Sequence, residues 1–173
     1  MELTAAISRT RYGAFRWRYE LAIPKKIALA IGVACLVGLL AQVRFYIPWS
    51  PVPITGQTFA VLLAGVVMGR RWGGISLAIY AILGIAGVPW FTPQAGMPIF
   101  SAGGFSHLAG PTGGYIIGFI LAALFLGYFT DKYIKARGFF SMLGLMLFAN
   151  FALIYIPGLI WLGIWLNLVS GSS

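Results

Sequence analysis

Apolar runs at 27–43, 59–69, 72–89, 115–129 and 139–166 alternate with short polar or basic breaks. A helix crosses the hydrocarbon core with about 20 apolar residues, and with fewer where neighbouring helices or a thinned bilayer accommodate it. The pattern therefore predicts an all-α polytopic membrane protein with transmembrane helices over 27–46, 57–69, 72–89, 115–131 and 139–166. Strands of a membrane barrel would alternate over about ten residues each, and no such alternation is present. The second helix is short and is expected to begin inside a protein-lined cavity. Pro157 lies within the fifth run and is expected to kink or break it.

The breaks between the runs differ in kind. Arg70–Arg71 and 131–138 are tight, basic connections. Residues 47–56 instead form a proline hook, "IPWSPVPITG", in which Pro51 and Pro53 lead from a turn straight into an apolar helix. Residues 90–114 make a 25-residue connection without one Asp, Glu, Lys or Arg. Connections of that length are uncommon unless they serve as lids or binding loops. Disorder normally comes with charge and low hydrophobicity. This loop carries Trp90, Phe91, Met97, Ile99, Phe100, Phe105 and Leu108, so it is expected to pack on something. The chain thus divides into a basic tract over 1–26, a transmembrane substrate-binding domain over 27–166 with external loops 47–56 and 90–114, and a short polar tail over 167–173.

Charge changes the picture by fixing an orientation. The net charge is +9, with 12 Lys and Arg against 3 Asp and Glu. With the N-terminus in the cytoplasm, Arg44 alone of the basic residues falls outside, which satisfies the positive-inside rule. The N-terminal tract, with Arg9, Arg11, Arg16, Arg18, Lys25 and Lys26, is expected to lie against anionic headgroups, so membrane lipids are partners and nucleic acid is not. The expected location is the cell membrane of a prokaryote, crossed several times. Cys35 is the one cysteine, which excludes an intramolecular disulfide. A lipoprotein-type signal ending at Cys35 fits poorly, because the apolar run continues to Val43.

Candidate chemistry is sparse and neutral. Glu2, Glu20 and Asp131 are the only acids, and none falls inside an expected helix core. There is no carboxylate pair, no metal-ligand cluster and no Walker-type phosphate loop, so neither catalysis nor a cofactor is expected. His107 reads as a surface loop histidine. Neutral hydrogen-bonding groups gather at the outer helix ends instead. Thr55, Gln57 and Thr58 are one set; Ser101, Gly103 and Gly104, followed by Thr112, Gly113 and Tyr115, are another. Glycines there permit close backbone approach to a ligand. Tyr80, Asn150 and Tyr155 add polar atoms at membrane depth, either for a ligand or for helix–helix hydrogen bonds. Ala30, Ala34 and Gly38 form a small-residue stripe that serves either internal packing or docking of another membrane protein.

Three segments, "PVPITGQTFAVLLAGVVMG", "YAILGIAGVPWF" and "GPTGGYIIGFILAALFLGYFTDK", resemble in order and spacing the BioY family. These are the biotin-binding S-components of energy-coupling-factor (ECF) transporters, and the similarity covers about residues 25–166. The resemblance implies a six-helix bundle whose site opens outward under lid-like loops. It also implies biotin as substrate, and ATP-driven uptake with a transmembrane coupling subunit and two ATPase subunits as partners. In related S-components an alanine stripe on the first helix docks that subunit, which Ala30 and Ala34 match. Gln57 and Thr58 are then expected to offer hydrogen bonds to biotin, and Trp90 and Phe100 an apolar wall. The family's sixth helix, with an acidic and a basic residue about one turn apart, has no counterpart after "NLVSGSS". Weak binding is expected for that reason; the remaining options for the ligand carboxylate are Arg44 and the backbone N–H groups of Gly110–Gly114, with Arg44 the expected contact. The alternatives are an S-component for another small vitamin, a non-functional truncated subunit, a channel or a structural subunit.

Overall fold

A computed structural model describes residues 16–48 and 52–170. Pro51 of the hook, most of the basic tract including Arg9 and Arg11, and the end of the tail lie outside the described residues. The order is α1 (Trp17–Glu20), α2 (Ile23–Leu40), β1 (Arg44–Phe45), β2 (Ile54–Thr55), α3 (Gln57–Ile85), α4 (Phe105–Leu108), α5 (Gly113–Lys132), a 3-10 turn (Ile134–Arg137), α6 (Phe139–Phe148), a wide π-type turn (Ala149–Ile154) and α7 (Tyr155–Ser170). Among the described residues, four stretches are long and apolar enough to cross a membrane: Ile23–Leu40, Gln57–Ile85, Gly113–Lys132 and Phe139–Leu168.

Continuity of α3 is only apparent. At Gly69 the backbone has φ 76° and ψ −179°, a conformation essentially restricted to glycine. The chain reverses there, and Gln57 at one end hydrogen-bonds Tyr80 on the other arm. The two expected helices 57–69 and 72–89 are thus the arms of one tight hairpin. A Cβ on Gly69 would stand 2.6 Å from Asp131 Oδ1. That carboxylate accepts the Arg70 N–H at 2.9 Å and bonds the Arg18 guanidinium. Arg18 also donates to the carbonyls of Val66 (3.1 Å) and Val67 (3.3 Å), which end the first arm. One ion pair therefore satisfies backbone groups on both sides of the turn. Arg18 was expected against headgroups; it is instead 6% exposed, buried under the hairpin.

α5 is the central helix, packed against both arms of α3 on one side and against α7 on the other. Its glycines allow near contact of backbones, as at Gly118, where a Cβ would lie 2.7 Å from the Leu153 carbonyl. Tyr80, Phe91, Leu77, Leu126 and Ile154 are the largest fully buried apolar side chains of the resulting core.

Several element boundaries differ from expectation, among them the second arm of α3, which ends at Ile85 rather than at 89. The first expected helix spans Ile23–Leu40 rather than 27–46, with Pro24 in its first turn, where proline is tolerated. It stops early because the next residues form an extended ladder, Arg44 opposite Thr55 and Phe45 opposite Ile54. In the fifth run the irregularity is the wide turn at Ala149–Ile154, and helix continues through Pro157. The proline cannot donate to the preceding turn, so the distortion falls on its N-terminal side.

Candidate functional site: a charge-free cavity under the loops

At the end of the bundle opposite Gly69, the hook, the long loop and the ends of α3, α5 and α7 enclose a cavity of about 270 Å³. That is near the lower end of the range for small-molecule sites, about 300–1,000 Å³. None of its lining residues is Asp, Glu, Lys or Arg.

Gln57 organises the polar side. It is the first residue of α3, oriented by the Arg44–Thr55 pairing and by the Gly56 N–H bond to the Val43 carbonyl (2.9 Å). Its Nε2 donates to the Tyr80 hydroxyl at 2.5 Å. Its Oε1 accepts from Thr92 Oγ1 at 2.9 Å and Thr55 Oγ1 at 3.4 Å. Such a network, satisfied within the protein, holds each donor and acceptor in a fixed direction. The Tyr80 hydroxyl accepts from Gln57, which leaves its own proton to donate. Thr58 Oγ1 bonds the Thr55 carbonyl (3.4 Å) at the same edge.

Aromatic rings form the other walls. Phe91 meets Tyr80 edge-on at 5.4 Å and stacks on His107 at 5.2 Å. Tyr115 and Tyr155 meet edge to face at 5.8 Å. Ile116, Phe119, Leu159 and Leu162 complete an apolar floor. His107 is no surface residue: it lines the cavity, and its Nε2 lies 3.3 Å from Thr112 Oγ1. Burial pushes its pKa below the usual histidine value, so at neutral pH the ring is uncharged.

The loop is fastened from one short segment. Gln42 donates to the carbonyls of Gly38 (3.1 Å), Trp90 (3.3 Å) and Phe91 (3.3 Å) and accepts the Phe100 N–H at 2.9 Å. Two residues on, Arg44 Nη2 donates to the Met97 carbonyl at 2.6 Å; two further, the Tyr46 hydroxyl donates to the Pro93 carbonyl. Alternate residues of an extended segment point the same way, so three side chains reach one loop.

Thr55, Gln57, Thr58, Tyr80, Thr112, Tyr115 and Tyr155, all expected at the site, line this cavity. The other expected residues stand behind it or outside. Trp90 supports the wall indirectly, stacking on Tyr80 at 5.4 Å and donating its Nε1–H to the Tyr80 carbonyl at 3.1 Å. Phe100 is 44% exposed on the outer surface, and Ser101 bonds the Pro98 carbonyl. Gly103 and Gly104 seat the loop on the end of α3, where the Gly104 N–H bonds the Gly84 carbonyl at 2.7 Å. Gly113 begins α5 beside Trp161, and Asn150 sits in the wide turn before α7. Arg44 does not line the cavity; its guanidinium is held at the Met97 carbonyl on the loop.

Ala30, Ala34 and Gly38 are buried within this chain, with Gly38 directly under Trp90. Within this chain the stripe serves close packing. Thr92, Leu159 and Leu162 went unnoticed in the sequence, and Phe91 and His107 were not read as site residues. For Leu159 and Leu162 a signal existed, since both follow Tyr155 at helical spacing on one face.

The BioY family model matches residues 18–173. The chain belongs to the BioY family. It is 57% identical over 103 residues to the "Probable biotin transporter BioY" of Methanothermobacter thermautotrophicus, covering 60% of this chain and 61% of that one. It is 39% identical over 138 residues to the "Probable biotin transporter BioY" of Pyrococcus horikoshii, covering 80% and 74%. The fold is similar to a crystal structure of the S-component for biotin from an ECF-type ABC transporter. The TM-score is 0.73 and the identity 25%, over 83% of this chain and 74% of that one. The matched region is thus about three-fifths the length of the first BioY relative.

Proposed function

We propose that this chain is the substrate-binding membrane subunit of a biotin importer. It captures biotin from outside and passes it inward with an ATP-driven ECF module, in which partner subunits bind and hydrolyse ATP. The observation that carries the reading is the neutral cavity, with a directed polar cluster at Gln57–Tyr80–Thr92 and aromatic walls, in a member of the BioY family. Biotin is a ureido–thioether bicycle with a valerate tail. Its ring needs a donor and acceptors on one side and apolar contact elsewhere, which the Tyr80 hydroxyl proton, the Thr55 and Thr92 hydroxyl oxygens and the Phe91, Tyr115 and Phe119 rings supply.

The carboxylate end belongs elsewhere. Burying it unpaired among these residues would cost several kcal/mol. The ring therefore enters first, and the tail extends to the mouth near the hook and the loop. Five crossings, counting both arms of α3, with the basic end in the cytoplasm, complete the proposed topology in a prokaryotic cell membrane. Uptake of radiolabelled biotin tests the transport reading. Cells lacking their own importer and expressing this chain with an ECF module should accumulate label in competition with unlabelled biotin and not with an unrelated vitamin. Accumulation abolished equally by any vitamin contradicts it.

A further inference from the structure

A second concavity lies at the opposite, basic end of the bundle. It is an open groove of about 400 Å³ between the second arm of α3 and α5, floored by Gly74, Ala78, Ile120 and Leu124. Arg70 and Arg71 form its rim, and both are exposed. Gly74 deepens it: a Cβ there would stand 2.6 Å from Leu124 Cδ2. The nearest acid, Asp131, is engaged with the Arg18 guanidinium and with the backbone N–H of Arg70, not with the rim guanidiniums. The Arg70 guanidinium lies 5.4 Å from the centre of the Tyr128 ring, and Lys132 Nζ hydrogen-bonds the Tyr128 hydroxyl at 2.8 Å. Two cations thus rim one end of an apolar trough, and a third, Lys132, is held beside Tyr128.

We propose that this groove binds one anionic phospholipid, with its phosphate between Arg70 and Arg71 and one acyl chain along Gly74, Ala78 and Leu124. Charge complementarity selects the occupant. Two guanidiniums without a carboxylate partner among the described residues, at the end of an apolar channel, match a diacyl phosphate ester, and basic pockets between membrane helices favour such headgroups. Arginine is the better residue for this, because its planar fork meets two phosphate oxygens at once. The lipid would brace the second arm of α3 against α5, the two elements that carry Tyr80 and Tyr115 to the cavity.

The test uses the full chain in nanodiscs of phosphatidylcholine with a minor fraction of phosphatidylglycerol, and counts lipid retained on gentle extraction by native mass spectrometry. The expected result is one retained phosphatidylglycerol, preferred about tenfold over phosphatidylcholine, since each basic residue is worth a few-fold. Arg70→Gln with Arg71→Gln should bring the preference to near parity. Ala78→Phe, with both arginines intact, should lower retention of both lipids by obstructing the chain. Size-exclusion chromatography confirms that each variant remains monodisperse. Equal retention of the two lipids by the unaltered chain overturns the proposal, as does a preference that survives the double arginine substitution. Retention unchanged in the Ala78→Phe variant also overturns it, because the acyl chain then lies elsewhere.

Discussion

Gln57 shows how one residue can hold a site together. Its amide joins Tyr80 on the other arm of α3, Thr92 on the loop and Thr55 on the hook, all within one buried cluster. Gln57→Leu keeps the volume and leaves the Tyr80 and Thr92 groups unpaired, at about 1–3 kcal/mol for each buried polar group stranded. We expect biotin affinity to fall by about ten- to a hundredfold in calorimetric titration while the helical content stays the same. His107 gives a pH signature. Its folded pKa lies below its unfolded value, so below about pH 6.5 the unfolded chain takes up a proton that the folded chain resists. Stability should therefore be flat above about pH 6.5 and decline as pH falls from there toward the folded pKa. Thermal unfolding across that window should show the decline in the unaltered chain and lose it in His107→Gln, as no other histidine is present. The residue types at the site were legible as neutral and hydrogen-bonding, and Gln57, Tyr80 and Tyr115 fell where expected. Arg44 is held at the loop and not in the cavity lining: a sequence reveals its charge, but only the loop's path placed the Met97 carbonyl in its reach.

Hydropathy located the elements well because a membrane span is defined by its composition. The fourth run, 115–131, differs from Gly113–Lys132 by two residues at one end and one at the other. The hairpin in α3 was legible as two runs broken by Arg70–Arg71, although its pivot is Gly69, a backbone requirement that charge does not encode. Gly69→Ala should cost about 1–3 kcal/mol from the backbone strain alone, and more from the approach to Asp131. Thermal unfolding in detergent should register this as a clear loss, whereas Gly32→Ala, where an added Cβ meets nothing within 4 Å, should be near neutral. The Ala30–Ala34–Gly38 stripe illustrates the opposite limit. Small residues at helical spacing announce a close contact, and the identity of the partner depends on where α3 and Trp90 go. The loop over 90–114 packs through Trp90 and Phe91 while Met97, Ile99, Phe100 and Phe105 stay exposed, and its fastening by Gln42, Arg44 and Tyr46 required the end of α2 to unwind into an extended strand.

At the scale of the whole molecule, a charge-free cavity lies at one end and a cluster of cations at the other, and the proposed function assigns the first to the ligand and the second to the membrane. Placing the carboxylate of biotin at the mouth, in water, makes its charge nearly irrelevant to affinity, because exposed ion pairs contribute about 1 kcal/mol or less. Biotin and its neutral amide should then bind within about fivefold of each other. Binding to the purified chain is the decisive measurement. Calorimetric titration with biotin should give one site per chain, lost or sharply weakened in Gln57→Leu. A chain that binds no biotin, or binds it equally well after Gln57→Leu, contradicts the assignment of this cavity as the biotin site.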